Sequence, residues 1–285
     1  MADALILGLG PAGVSAALYV LRAGFKAVLV GKDAGALVEA HKIENYYGLE
    51  APLSGADLAK IGKKQAVALG AELFEDEVLD LMFDGSDFVA SGLKGSYKGK
   101  ACILATGAAR KGRHLPGIAD FEGKGVSYCA VCDAFFYRGK NVAVLGSGEY
   151  ALHEASELWN LAASVTILTN GAAVTAEFPE RVRLDSRKLK RVCGAEHFEG
   201  VELADGEVLK FDGLFVALGS ASATDLARKA GAAFEGGKLV LDAKMQTTVP
   251  GLFAAGDCTG GILQVAVAVG EGAKAGLSVN AFLRA

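Results

Sequence analysis

Proline, cysteine and histidine are all scarce in this 285-residue chain, with 5, 5 and 4 copies against 38 glycines. So few prolines beside so many glycines argue against disordered linkers and suit the repeated tight strand-to-helix turns of α/β architecture. Five cysteines are an odd number spread through a long chain, which excludes the disulfide framework of a small secreted domain. Cys102, Cys193 and Cys258 stand alone, as do His41, His114, His153 and His197, so a structural zinc site lacks its second closely spaced ligand pair. Positive charge is not in excess either. A net charge of -4 supplies no global reason to bind nucleic acid or an anionic membrane, and any basic docking site has to be local. A clean apolar span is also missing. Ala4 to Leu21 carries no charge, but Gly8, Gly10, Pro11 and Gly13 interrupt it, and Asp3 stands where a signal peptide carries positive charge. A soluble cytoplasmic protein is expected, long enough for two domains, with 52% hydrophobic residues to fill their cores.

What the chain does have is Cys129-Ala130-Val131-Cys132-Asp133, the one place where redox-capable groups sit close together. Two thiols separated by two residues can close a small disulfide as the chain enters a helix, and the helix N-terminus then stabilises a thiolate when the bond opens. Asp133 follows at once, and its carboxyl group could protonate the thiolate that leaves during exchange. Zinc ligation and two incidental core cysteines are the competing readings of the pair.

Two strand–turn–helix units flank that stretch. In the first, Ala4 to Leu7 reads as a buried strand, Gly8-Leu9-Gly10-Pro11-Ala12-Gly13 as a phosphate-binding turn, Val14 to Ala23 as a helix and Ala27 to Val30 as the next strand. This is the dinucleotide fingerprint in its required context, with glycines for close approach to a pyrophosphate and a helix N-terminus for its charge. Gly31 and Lys32 occupy the end of the second strand, which leaves Asp33 as the nearest acid for a ribose. A polar loop at Ile43 to Gly48, a helix at Asp57 to Leu69 and strands at Phe88 to Leu93 and Ala101 to Leu104 follow. The last strand ends in Ala105-Thr106-Gly107-Ala108, and the basic cluster Arg110, Lys111, Arg113 and His114 before Pro116-Gly117 marks a domain boundary.

The second unit comprises a strand at Asn141 to Leu145, the turn Gly146-Ser147-Gly148-Glu149-Tyr150-Ala151, a helix at Tyr150 to Leu161 and a strand at Val165 to Leu168. Thr169 to Ala173 then carry no charge, whereas NADP requires a cation here and NAD usually an acid. Glu149 moreover puts negative charge at the helix start and opposes a pyrophosphate. The second site is read as a relic of the fold. Arg181, Arg183, Arg187, Lys188, Lys190 and Arg191 form a basic run, read as a solvated helical face or as a dock for an acidic protein. A hairpin at Asp205-Gly206 leads to a strand at Phe211 to Leu218. Leu252 to Asp257 is another strand entering a glycine turn, and the helix from Gln264 to Leu277 follows it, so the first domain resumes late in the chain.

Taken together, Gly8 to Gly13, Thr106-Gly107-Ala108, Cys129 to Asp133, Gly146 to Gly148 and Gly256-Asp257 occur in the order and spacing of the low-molecular-weight thioredoxin reductases, which the chain resembles over essentially its whole length. The resemblance implies an α/β fold of two Rossmann-like dinucleotide-binding domains of the flavoprotein disulfide reductase type. Residues 1–112 and 246–285 would bind FAD, and 113–245 would form an NAD(P)H-like domain that carries the cysteine pair. Implied FAD contacts are Gly8, Gly10, Pro11, Ala12, Gly13, Asp33, Asn45, Thr106, Gly107, Gly256, Asp257 and Gln264. Cys132 would face the flavin, Cys129 would attack thioredoxin and Asp133 would serve as acid/base. A homodimer and rotation of one domain against the other are also implied, with neither nucleic acid nor membrane as partner. NADPH-dependent members carry a His-Arg-Arg motif where this chain has Thr169-Asn170-Gly171, and an arginine where it has Leu263. The chain therefore looks like the ferredoxin-dependent branch, with NADP(H) not expected as donor. The alternatives are a reductase using NADPH or NADH through other contacts, and a flavin-binding redox sensor that is not an enzyme.

Overall fold

The computed structural model of the protein describes residues 2–107, 115–235 and 238–285, and the chain divides into two units, Met1–Ala109 with Ser222–Ala285 and Arg110–Ala221. In the first unit, β1 (Ala2–Leu7) is apolar on both faces from Ala4 onward, as a parallel strand covered by helices must be. Gly10 caps α1 (Pro11–Arg22), whose first position is proline, where a missing N–H costs nothing. The chain continues through β2 (Ala27–Gly31) and α2 (Gly55–Ala68), the latter opened by the Ser54 hydroxyl accepting from the Asp57 N–H. The strands β3 (Glu72–Glu75), β4 (Val78–Phe83), β5 (Phe88–Gly92) and β6 (Ser96–Leu104) complete this segment.

The second unit runs through β7 (Val126–Ser127), α3 (Ala130–Asp133), β8 (Asn141–Leu145), α4 (Glu149–Leu158), β9 (Ser164–Leu168) and β10 (Arg183–Asp185). After these come β11 (Leu189–Gly194), β12 (Phe198–Leu203), β13 (Val208–Lys210) and β14 (Gly213–Val216). A five-stranded parallel sheet in the order β10-β9-β8-β14-β7 is accompanied by an antiparallel sheet of β11, β12 and β13. Here the expected helical face from Arg181 to Arg191 is corrected: the segment holds β10, the start of β11 and the turns beside them, and no helix. The apolar positions decide the matter, because Leu189 and Val192 are buried in the core of this unit while the charged residues between them face out.

At Ser222 the chain returns to the first unit with α5 (Ala223–Lys229), β15 (Phe234–Glu235), β16 (Lys238–Leu239), β17 (Leu252–Ala254) and α6 (Val265–Arg284). That return precedes the expected boundary at 246. Leu226 and Ala227 of α5 are fully buried, and the Lys229 ammonium, itself buried, reaches Asp80 Oδ1 at 3.5 Å and the Leu79 carbonyl at 3.1 Å. A buried cation has to stay beside its carboxylate, so α5 is tied to β4. The sheet of this unit has seven strands, six of them in the order β3-β2-β1-β6-β5-β4 and the seventh, β17, paired with β6. Long β6 pairs with β5 along its first half and with β17 along its second. The C-terminal ends of β1, β6 and β17 therefore lie side by side. Helix α6 crosses α1 so closely that a Cβ on Gly272 would stand 2.2 Å from the Ala12 carbonyl oxygen.

Candidate redox-active site

Strand β7 delivers Ser127 to the start of the cysteine turn, and Cys129 and Cys132 are joined as a disulfide with their Cα atoms 5.3 Å apart. The buried Ser127 hydroxyl accepts from the Cys129 N–H at 3.0 Å and donates to Asp133 Oδ2 at 2.7 Å, which fixes that carboxylate beside the pair. On the other side the Ala130 N–H donates to Glu154 Oε2 at 2.6 Å, and Glu154, on α4, is 1% exposed. The Cys132 N–H points to Cys129 Sγ at 3.1 Å. The Tyr137 phenol is pushed up by burial first and by the charge of Asp133 second. Cys129 is 5% exposed, whereas Cys132 lies at the surface with Val131, Phe135 and Phe136 around it. The two sulfurs thus differ in access, Cys132 being the exposed one in the closed pair. Of the remaining cysteines, Cys258 has its thiol pushed up to about 12, chiefly by burial, and Cys102 is raised by the same cause. Both are kept as unreactive thiols.

The expected dinucleotide contacts of the first unit gather at the C-terminal edge of its sheet. A Cβ on Gly8 would lie 2.0 Å from the Ala105 carbonyl oxygen and one on Gly13 2.1 Å from that of Gly8, so neither position admits a side chain. Gly10 faces open space: its nearest neighbour would be the Ala34 oxygen at 3.6 Å. Next to this turn the Thr106 hydroxyl oxygen is buried and bonds nothing among the described residues. The Gly256 N–H is held by Glu271 Oε2 at 2.8 Å, and burial, followed by the charge of Glu271, raises the Asp257 carboxyl above its ordinary value. Asn45 Nδ2 donates to Gln264 Oε1 at 3.0 Å, which joins the 43–48 loop to the start of α6. A cavity of about 580 Å³ opens over Gly10, Pro11, Tyr46 and Val265. Asp33 precedes the Ala34 whose oxygen faces Gly10, and its Oδ1 accepts from the Gly35 N–H at 2.7 Å.

The second glycine turn is built alike but covered differently. A Cβ on Gly146 would be 2.2 Å from the Ala217 carbonyl oxygen, and Gly148 caps α4 as Gly10 caps α1. Glu149 nevertheless occupies the first helical position, and the chain beyond β9 folds back over the turn. The Thr175 N–H donates to the Ser147 carbonyl at 2.8 Å, and the Thr175 hydroxyl would stand 3.0 Å from a Cβ on Gly148. One cation of the basic run reaches the end of β9: Lys188 Nζ would lie 3.0 Å from a Cβ on Gly171. Half of the basic run is neutralised within the unit. Arg187 pairs with Asp185 and Glu207, while Lys190 and Arg191 share Glu202. Arg181, Arg183 and Lys188 have no carboxylate partner among the described residues. The other basic cluster, Arg110, Lys111, Arg113 and His114, lies outside the described residues.

Ser127, Glu154, Glu271 and Thr175 were not singled out by sequence reasoning. Glu154, Glu271 and Thr175 act on partners 15 or more positions away, and Ser127, though only two and six positions from Cys129 and Asp133, belongs to no motif that announces it. Among the described residues no group of three or more His, Cys, Asp or Glu could hold a metal ion, and no helix is long and apolar enough to cross a membrane.

A family model described as pyridine nucleotide-disulphide oxidoreductase matches residues 2–272. Thioredoxin reductase from Aquifex aeolicus is 35% identical over 302 residues, covering 99% of this chain and 93% of that protein. Among solved structures, the atypical thioredoxin reductase TRi from Desulfovibrio vulgaris Hildenborough is 40% identical with a TM-score of 0.91, covering 100% of this chain and 98% of that one. A ferredoxin-flavin thioredoxin reductase from Clostridium acetobutylicum is 31% identical with a TM-score of 0.76, covering 99% of this chain and 98% of that one. The chain belongs to the low-molecular-weight thioredoxin reductase family of the pyridine nucleotide-disulphide oxidoreductases.

Proposed function

We propose that the protein is an FAD-dependent thioredoxin reductase that passes electrons through the Cys129–Cys132 disulfide to thioredoxin and receives them from reduced ferredoxin. The observation that carries the disulfide chemistry is the closed pair with Asp133 locked beside it by Ser127. The first unit fits a flavin adenine dinucleotide, because its glycine turn leaves a cradle at Gly10 and the buried Thr106 hydroxyl lacks a partner among the described residues. Gly8, Gly10, Pro11, Ala12 and Gly13 would hold the pyrophosphate, with Asn45, Thr106, Gly107, Gly256, Asp257 and Gln264 along the remainder and Asp33 toward the ribose. When bound, FAD converts between one-electron and two-electron transfer, which the protein's own side chains cannot do.

In this reading Cys129 attacks the partner disulfide, Cys132 resolves the mixed disulfide, and Asp133 supplies the proton to the departing thiolate. The burial of Cys129 requires that it be uncovered before exchange. Ferredoxin as donor is supported by the contrast between the turns. Glu149 and Thr175 both oppose a nucleotide at Gly146 to Gly148, and a single lysine stands in place of an arginine cluster. The fold likeness to a ferredoxin-flavin thioredoxin reductase points the same way. A homodimer and a cytoplasmic location belong to this reading as expectations of the family resemblance.

Anaerobic mixing of the yellow holoenzyme with each donor tests the proposal. Reduced ferredoxin should bleach the flavin and support thioredoxin reduction. Rapid stoichiometric bleaching by NADPH or NADH at micromolar concentration, a typical substrate affinity, would restore a pyridine-nucleotide enzyme.

A further inference from the structure

We infer that Glu154 is a positioning residue for the cysteine pair, one whose negative charge makes the reduced pair a stronger reductant. The inference rests on the disulfide reductase reading but not on the identity of the electron donor. Glu154 is buried, and its Oε2 accepts from the Ala130 N–H at 2.6 Å, the amide that follows Cys129 directly in the chain. This is at the short end for N–H to oxygen contacts, as charge-assisted bonds are. The carboxylate comes from α4, so the helix that follows the second glycine turn braces the cysteine turn from behind.

The energetic consequence follows from charge. Reduction of the Cys129–Cys132 bond takes up two electrons and one proton and leaves a Cys129 thiolate beside a Cys132 thiol, the second proton of the overall exchange coming from solvent. In the forward exchange the Cys129 thiolate attacks one sulfur of the partner disulfide, and that S–S bond breaks as a mixed disulfide forms. The Cys132 thiolate then attacks Cys129 Sγ, the intramolecular disulfide returns, and the partner leaves as a dithiol with two protons and two electrons more than it brought. A fixed negative charge next to Cys129 disfavours its thiolate. Stabilised thiolates are what make a disulfide oxidising, so the carboxylate at Glu154 keeps the reduced pair less stable and its electrons easier to pass on. Asp133, held by Ser127, takes part in proton transfer on the opposite flank, so the turn lies between two carboxyl groups with separate tasks.

Glu154→Gln separates charge from contact, since the glutamine carbonyl can still accept from Ala130 in the same volume. Purified flavin-loaded wild type, Glu154→Gln and Glu154→Asp are equilibrated anaerobically in dithiothreitol redox buffers at pH 7, and the reduced fraction of the pair is read as the mass gained on alkylation. Glu154→Gln should favour the reduced pair roughly tenfold, equivalent to about 30 mV upward for a two-electron couple. Glu154→Asp, which keeps the charge, should stay within about twofold of wild type. A Glu154→Gln midpoint equal to that of wild type overturns the inference while leaving the reductase reading intact. A wild-type pair that cannot be reduced in these buffers overturns both. Should Glu154→Gln fail to fold, Glu154→Asp decides: an unchanged midpoint supports the charge, and a tenfold move assigns the effect to the lost contact and ends the inference.

Discussion

The two glycine turns start from nearly the same local sequence and end as different objects. Gly8 and Gly146 are held against the carbonyl of the neighbouring parallel strand, and Gly10 and Gly148 cap the helices that follow. In the first unit the capping glycine looks onto open space over a cavity, with Pro11 as the first helical residue. In the second it looks onto Thr175, with Glu149 as the first helical residue. A turn becomes a phosphate site when its N–H groups stay uncovered and uncompensated. The same backbone geometry, covered by its own chain and given a carboxylate, becomes a packing device.

The largest test of that contrast is to place one methyl group on each turn. Gly13→Ala brings a Cβ to 2.1 Å from a backbone oxygen that no side-chain motion can relieve, and overpacking of this kind costs about 3 kcal/mol or more. Flavin should be lost, as read from the visible spectrum of purified protein. Gly148→Ala meets only the Thr175 hydroxyl, so flavin and ferredoxin-driven turnover should stay within about twofold of wild type. Equal flavin loss from both variants would break the comparison.

Asp133→Asn divides the molecule differently. It should slow thioredoxin turnover about 100-fold, within the range for loss of an acid/base group, while flavin content stays whole. A turnover unchanged from wild type would remove Asp133 from proton transfer. A smaller effect is expected from Glu149→Gln combined with Thr175→Ala, which lifts the charge and the cover from the second turn. NADPH-driven flavin reduction should improve by no more than about tenfold, because the charge-assisted bonds of an arginine cluster are still absent. Stopped-flow rates approaching those with ferredoxin would show that Thr175 and Glu149 alone close the site.

The smallest change is reserved for the basic run. Arg187, Lys190 and Arg191 are already paired, and such exposed pairs contribute about 0–1 kcal/mol each, so reversing them would confuse docking with local repair. Arg181→Glu with Arg183→Glu is the cleaner variant. It should lower ferredoxin-driven turnover about threefold at low salt and less at high salt, since screened attraction acts mainly on encounter. Rates without any salt-dependent difference would place the dock elsewhere.

Much of the first unit was legible because its signals are local. A continuous apolar strand, three glycines at fixed spacing and a helix opened by Pro11 depend only on near neighbours, and α1, β2, α2 and α6 lie close to their expected places. The CxxC stretch was legible for the same reason, down to the helical turn that begins at Ala130. The basic run misled because charge is an ambiguous sign of secondary structure. In β11 it is the burial of Leu189 and Val192 that selects a strand. The return at Ser222 carried no fingerprint, and only Lys229 meeting Asp80 reveals where α5 belongs.

The sequence by itself determined the class of fold, the cofactor-type turn at Gly8 to Gly13 and the identity of the two sulfurs, since each follows from residues within a few positions of one another. Tertiary structure alone decided what surrounds them. Glu154 lies 24 positions from Ala130, Thr175 folds back on Ser147, Lys188 reaches Gly171, and Cys129 rather than Cys132 is the covered sulfur. Such pairings form when packing brings distant segments together, and it is burial that turns an ordinary glutamate or threonine into a brace or a cover.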